Sequence, residues 1–222
     1  MSIFKENLTS KILQDTSSKI INKSKKKLNI LEIGCGNGNI TNYIIENRHR
    51  NHSFFLSDIS KKAVAKAKKL IQYKNCSFKV GKWLNPWKKN KFDLIISDVS
   101  SINDSIASRS DWYKGVVCNS GLDGLKNINK ILSSIENNLK INGTFILPII
   151  SLSNEKKLIK SLKNKFCKVT LTKKVEWPLP KFFYKKIKEY EKLKAKNQIN
   201  YYDKFGVKVA YTYSAVCKKI DN

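Results

Sequence analysis

Four short stretches hold residues whose types and spacing could do chemistry. The first is Leu31-Glu32-Ile33-Gly34-Cys35-Gly36-Asn37-Gly38. Glycines at alternate positions let a backbone turn sharply and let a ligand approach the chain closely. An acidic residue, Glu32, stands two positions before the first of them. The second is Asp58, twenty positions after Gly38. A carboxylate there can accept hydrogen bonds from both hydroxyls of a ribose, and its plainer role is to cap the helix that follows. The third is Gly81-Lys82-Trp83-Leu84, where the flat face of Trp83 either stacks on a ring or covers the edge of a sheet. The fourth is Phe92 to Ile102, an apolar run that reaches Asp98. Asp98 could orient an amine or a hydroxyl, or take its proton as a general base; its plainer role is a polar residue closing a buried strand.

These residues need a scaffold, and the hydrophobic pattern supplies one. From Leu28 onward, short apolar runs alternate with amphipathic stretches, the pattern of a parallel sheet with crossover helices. Strands are expected at Leu28–Ile33, Ser53–Leu56, Ser77–Val80, Phe92–Ser97, Thr144–Ile149 and 168–175, with a last antiparallel strand at Val207–Cys217. Helices are expected near Asn39–Asn47, Ser60–Gln72 with Ser60 as N-cap, Asp123–Leu139 with a stop at Asn142-Gly143, and Asn154–Lys165. The glycine turn and Asp98 then fall at the carboxyl ends of the first and fourth strands. Those ends flank the topological switch point where open α/β sheets bind ligands.

The spacing G-x-G-x-G after a strand, with its acidic residue, resembles motif I of class I methyltransferases. It differs from the G-x-G-x-x-G of dinucleotide enzymes, which makes a nicotinamide-dependent oxidoreductase the weaker reading. The resemblance implies a Rossmann-like three-layer α/β sandwich with a mostly parallel seven-stranded sheet and a C-terminal antiparallel strand. It implies S-adenosylmethionine as cofactor. Glu32, Gly34, Cys35, Gly36 and Gly38 would seat the methionine half, Asp58 with Ile59 the ribose side, and Lys82 and Trp83 the adenine. The family commonly has an acidic residue where Lys82 stands.

Phe92-Asp93-Leu94-Ile95-Ile96-Ser97-Asp98 is also similar to the F-D-L-I-x-S-N-P-P-Y-I of the HemK-like group, which includes release-factor glutamine methyltransferases. Ser120-Gly121-Leu122-Asp123-Gly124-Leu125 resembles that group's G-G-x-D-G-L. Together the likeness covers about Leu28 to Ser151. Asp98 falls on the group's Asn, while Val99, Ser100 and Ser101 replace Pro, Pro and the aromatic. The set that grips a planar amino group is thereby lost. A small-molecule or peptide nitrogen or oxygen acceptor follows, with Asp98 as the catalytic candidate. Ribosomal RNA or a translation factor is the alternative acceptor, and a cofactor-binding protein without catalysis is the other.

Bulk composition bounds these readings. The 222 residues suit one α/β domain, with 1–27 as a helical or linker extension and 28–222 as the domain. Phe4, Leu8, Ile12 and Leu13 give the extension a weak helical pattern. Insertions are expected at about 98–120, part of the acceptor pocket, and at 176–206, where Ile187, Tyr190 and Leu193 share one helical face. The net charge of +27 suggests a nucleic-acid partner, but the excess is Lys; Arg48, Arg50 and Arg109 are the only arginines. Lys, Asn and Ile share A/T-rich codons, so genome composition explains the excess as well as RNA binding does. Five scattered cysteines without a C-x-x-C pair, and the histidines His49 and His52, read here as surface residues, argue against zinc or disulfides and suit a reducing cytoplasm. No stretch has the apolar length of a membrane span.

Overall fold

The computed structural model describes residues 7–47, 51–113 and 118–219. Helix α1 (Leu8–Ile21) opens the chain, capped by Asn7, whose side chain accepts from the Ser10 N–H. Strand β1 (Asn29–Ile33) leads through the glycine turn to α2 (Asn39–Glu46). Next come β2 (Ser53–Asp58), α3 (Lys61–Leu70) and β3 (Cys76–Val80), with Ser60 capping α3 through the Ala63 N–H. Strand β4 (Phe92–Ser97) precedes a short α4 (Asp104–Ala107). Helices α5 (Lys126–Leu132) and α6 (Ile135–Asn138) lead to β5 (Leu139–Ile150) and α7 (Glu155–Lys165). The last part holds β6 (Lys168–Leu171), β7 (Val175–Pro178), α8 (Lys181–Tyr184), α9 (Ile187–Ala195), β8 (Tyr202–Lys204) and β9 (Val207–Lys218).

The strands form one sheet in the order β3-β2-β1-β4-β5-β9-β6, with β7 and β8 also paired to β9. Strands β1 to β5 are mutually parallel, and β9 runs antiparallel to β5 and β6. This is the Rossmann-like three-layer arrangement expected from the sequence.

Alternation along the strands divides the core. Ile30, Phe54, Leu56, Leu94, Ile96 and Ile146 face one way, toward Leu13, Ile44 and Ala67 of α1, α2 and α3. Leu31, Ile33, Ile95, Phe145 and Leu147 face the other way, toward Ile128, Ile131, Leu158 and Leu162 of α5 and α7. A third cluster, around Ile102, Ile106, Phe183, Tyr190 and Tyr201, joins the two insertions to β9.

Several boundaries differ from the sequence reading. The expected helix Asp123–Leu139 is two short helices, beginning only at Lys126 after the positive-φ turns at Gly121 and Gly124. Asn142-Gly143 does not end a helix; it lies within β5, where Asn142 has a φ of 59° and the pairing with β4 shifts register. The expected strand 168–175 is split into β6 and β7. His52 is not a surface residue. It is buried, and its Nδ1 accepts from the Leu28 N–H, tying β1 to the start of β2. His49, Arg48, Arg50 and Phe4 lie outside the described residues.

Among the described residues, no helix is long and apolar enough to cross a membrane.

Candidate active site

The carboxyl ends of β1, β2 and β4 open onto a cavity of about 390 Å³. Of the residues singled out in the sequence, Glu32, Gly34, Cys35, Gly36, Asp58, Ile59, Lys82, Trp83 and Asp98 line it. Gly38 does not. It caps α2 at a φ of 85°, and a Cβ there would stand 2.9 Å from Ile71 Cδ1. Its glycine is required by packing of the turn on α3.

The turn is held largely by backbone. Gly34 and Cys35 N–H both donate to the Ser57 carbonyl, at 2.8 and 3.0 Å, and the Asp58 carboxylate takes the Gly36 N–H at 3.0 Å and the Ser60 N–H at 2.8 Å. Asp58 therefore shapes the turn and helps to start α3 at once. A Cβ on Gly34 would meet the Asp98 carbonyl at 3.0 Å, so this glycine lets the β1 turn press against the end of β4. A Cβ on Gly36 would meet nothing within 4 Å. That open space over a bare backbone is where a ligand can make its closest approach.

Electrostatically the cavity contrasts with the rest of this basic protein. Glu32, Asp58 and Asp98 all face it, and none joins an ion pair among the described residues. Burial pushes the Glu32 carboxyl up to about 8, against the hydrogen bonds from Thr41, with added repulsion from Asp98 and Asp58. Burial likewise raises Asp98 to about 6, partly offset by the Ser10 hydroxyl that donates to it at 2.8 Å. Asp58 is raised by desolvation, and the Cys35 thiol is pushed well up for the same reason. Three under-compensated carboxylates are chemically suited to a ligand bearing a sulfonium and an ammonium.

Trp83 sits at the cavity edge with a φ of 52°, a left-handed conformation that is costly for a bulky side chain. It packs partly on the core and points its Nε1 at Asn127 Oδ1, 3.4 Å away. Ile59 is 61% exposed on the same rim, and with Trp83 it offers apolar surface for a flat ring.

Sequence reasoning missed part of the wall. Asn7, Thr9 and Ser10 of the α1 cap and first turn line the cavity, as do Asn119, Lys126 and Asn127. An Asn directly before Leu8 is a helix-start signal that the sequence reading did not use, and nothing local says what such a cap faces. Tyr113, from the 98–120 segment, also lines the cavity. Ser100 and Ser120 are linked, Ser120 Oγ donating to the Ser100 carbonyl at 2.8 Å. Asp104 accepts both the Ser120 and Gly121 N–H groups at 2.8 Å, so its role is to hold this turn. Arg109 pairs with Glu189, and Trp112 packs edge-on against Trp177 and Phe182, which docks the 98–120 segment on the 176–206 segment.

Solved structures share this architecture. YcgJ from Bacillus subtilis matches with a TM-score of 0.62 at 13% identity, over 95% of this chain and 99% of that one. The ribosomal protein L11 methylase from Lactobacillus delbrueckii subsp. bulgaricus matches with a TM-score of 0.56 at 14% identity, over 98% and 81%. The precorrin-6y C5,15-methyltransferase from Geobacter metallireducens GS-15 gives 0.53 at 12%, over 90% and 86%. At such identities the likeness is one of fold. No curated protein matches the sequence. The family model described as a methyltransferase domain matches residues 24–201, most of the chain and all of the strands that carry the cavity's carboxylates. The chain belongs to the methyltransferase domain family and is an S-adenosylmethionine-dependent enzyme.

Proposed function

We propose that this enzyme methylates a nitrogen or oxygen of a small-molecule or peptide acceptor, with Asp98 as the group that receives the acceptor's proton. The observation that carries this reading is Asp98 itself. It stands against the glycine turn, accepts a hydrogen bond from the Ser10 hydroxyl, and has a carboxyl raised to about 6. A base of that strength is largely ionised at neutral pH yet basic enough to accept a proton.

The residues present fit the cofactor. The open space above Gly36 admits a chain-like group, Glu32 and Asp98 complement positive charge, Asp58 offers a carboxylate to ribose hydroxyls, and Ile59 and Trp83 border a flat ring. When bound, the cofactor supplies a methyl group already activated on sulfur. The chain's own work is alignment, exclusion of water and proton removal. Lys82, exposed on the rim, lies close to where the adenine would sit.

The HemK-like reading of residues 92–125 belongs to this proposal. Its support is that the two motif-like stretches meet: Ser120 donates to Ser100, and the Asn103 side chain donates to the Leu122 carbonyl. A ribosomal RNA or translation-factor acceptor is favoured by one other feature, a groove lined by Lys25, Lys26, Lys27 and Lys74 with Tyr73. That groove adjoins the amino ends of β1 to β3, opposite the carboxyl ends that bear Asp98.

The test is calorimetric titration with S-adenosylmethionine and S-adenosylhomocysteine, followed by a panel of amine, hydroxyl and peptide acceptors assayed with parent and Asp98→Ala proteins. Saturable cofactor binding weakened about tenfold or more by Asp58→Ala is expected, given the strength of a charged hydrogen bond. Turnover on an amine or hydroxyl that Asp98→Ala leaves untouched would remove Asp98 from its role. Strongly salt-dependent RNA binding with RNA methylation would favour the second acceptor class.

A further inference from the structure

We propose that Ser10 is a positioning residue for Asp98, and that helix α1, which precedes the residues matched by the methyltransferase-domain model, is thereby part of the active site. This rests on the reading of Asp98 given above. The geometry is specific. Ser10 Oγ donates to Asp98 Oδ2 at 2.8 Å across 88 positions of sequence. The same oxygen lies 3.4 Å from Asn7 Oδ1, and Asn7 is the α1 cap that also accepts the Ser10 N–H at 3.1 Å. The family match begins at residue 24, after α1 has ended at Ile21.

One hydroxyl proton thus faces two acceptors. With Asp98 ionised, Ser10 gives its proton to the carboxylate. When Asp98 has taken a proton from an acceptor, the carboxylic acid can donate to Ser10 Oγ, and the Ser10 proton turns to Asn7 Oδ1. Ser10 keeps its own proton throughout, and only its direction changes. Either state of Asp98 is then matched by a partner, and the cost of cycling between them is lowered. The other titratable groups that face Asp98 are the Glu32 carboxyl at the end of β1 and the Tyr113 hydroxyl; neither offers a positive charge.

The contact of α1 with the domain suits this role. Its buried face is mostly polar: Thr9, Ser10, Gln14, Thr16 and Ser17, with Leu13 and Ile21 as the fully buried apolar anchors. Thr16 Oγ1 lies 3.2 Å from Ser214 Oγ on β9. A helix kept only for bulk would bury a wider apolar stripe.

The experiment is a carboxyl-carbon NMR titration of the free protein labelled at aspartate, with the Asp98 signal identified by its absence in Asp98→Asn. In Ser10→Ala the Asp98 midpoint should rise by about one pH unit, a tenfold change in proton affinity. Ser10→Thr, which keeps the hydroxyl, should return it toward the parent value. Ser10→Cys, a weaker donor of similar size, should fall between, and it is read in the same way if the alanine protein fails to fold. An unchanged midpoint in both Ser10→Ala and Ser10→Cys overturns the proposal. The titration needs neither cofactor nor acceptor. In parallel, the preference for S-adenosylmethionine over S-adenosylhomocysteine is measured against pH. A preference that ignores pH while the midpoint still moves would sink the placement of Asp98 beside the sulfonium and leave the Ser10 contact standing.

Discussion

The two walls of the cavity are built by different means. The wall at β1, β2 and β3 is made of short connections: a glycine turn, the Ser57-Asp58 strand end and the Gly81-to-Trp83 turn, tied by backbone N–H groups to the Ser57 and Asp58 carbonyls and the Asp58 carboxylate. The wall at α1 and the 98–120 segment is made of side chains brought from far apart. Ser10 reaches Asp98 across 88 positions, and Arg109 reaches Glu189 across 80. The first wall has a fixed shape, which suits the proposed seat of an invariant cofactor. The second is assembled from pieces that can vary independently, which suits the proposed acceptor side.

Phe183→Ala gives the largest expected effect, and it tests whether the walls are separable. Phe183 is fully buried, its ring centroid 4.2 Å from Tyr190 and 5.1 Å from Tyr201. Truncation to alanine should cost about 3–5 kcal/mol where a large aromatic leaves a cavity. The loss should be local: hydrogen exchange should quicken in α4, α8 and α9, while S-adenosylmethionine affinity changes less than about twofold. Cofactor affinity that collapses with the aromatic cluster would show the two walls to be one cooperative unit.

A second effect sharpens the contrast electrostatically. The first wall carries Glu32, raised to about 8 by burial. A carboxyl whose folded value lies above its unfolded value holds a proton that the unfolded chain has lost. Its contribution is present at low pH and is lost as pH rises from about 4.5 toward 8. By pH 7 the loss is on the order of 3 kcal/mol, so the free protein's melting temperature should fall across this interval. Glu32→Gln, which can still accept from Thr41, should flatten that fall and should also weaken S-adenosylmethionine binding. A melting profile that Glu32→Gln leaves unchanged would mean that Glu32 is ionised in the free protein.

The same contrast explains what could be read from sequence. The glycine turn, Asp58 and Trp83 are close in sequence to the strands that bear them, so period and spacing placed them on one edge of the sheet. All but Gly38 among the residues singled out line the cavity. The helix stop at Asn142-Gly143 misled because Asn-Gly satisfies a bend within a strand as readily as a helix end; here Asn142 takes the positive φ within β5. His52 misled because its partner is the Leu28 backbone, across a parallel pairing invisible in a local window. Asn7, Thr9 and Ser10 fall in the expected helical or linker extension, where only the apolar pattern hints at packing on the core and nothing local names the partners of the polar face. Those partners, Asp98 just after β4 and Ser214 on β9, lie much later in the chain.

The smallest effect separates the glycines within the first wall. Gly36 and Gly38 both have positive φ, 53° and 85°. An alanine in that region costs about 1–2 kcal/mol in either place. At Gly38 the new Cβ also meets Ile71 Cδ1 at 2.9 Å and Ala67 Cβ at 3.1 Å, whereas at Gly36 it meets nothing within 4 Å. Gly38→Ala should therefore lower the melting temperature more than Gly36→Ala does. Gly36→Ala should lower cofactor affinity more, because its methyl projects into the space the ligand needs. Thermal melts of the two variants with and without S-adenosylmethionine measure both quantities together. A reversed order in the melts would show that the turn relaxes around Gly38. Equal cofactor affinities would show that the ligand does not pass over Gly36, and the open space above that residue would then need another occupant.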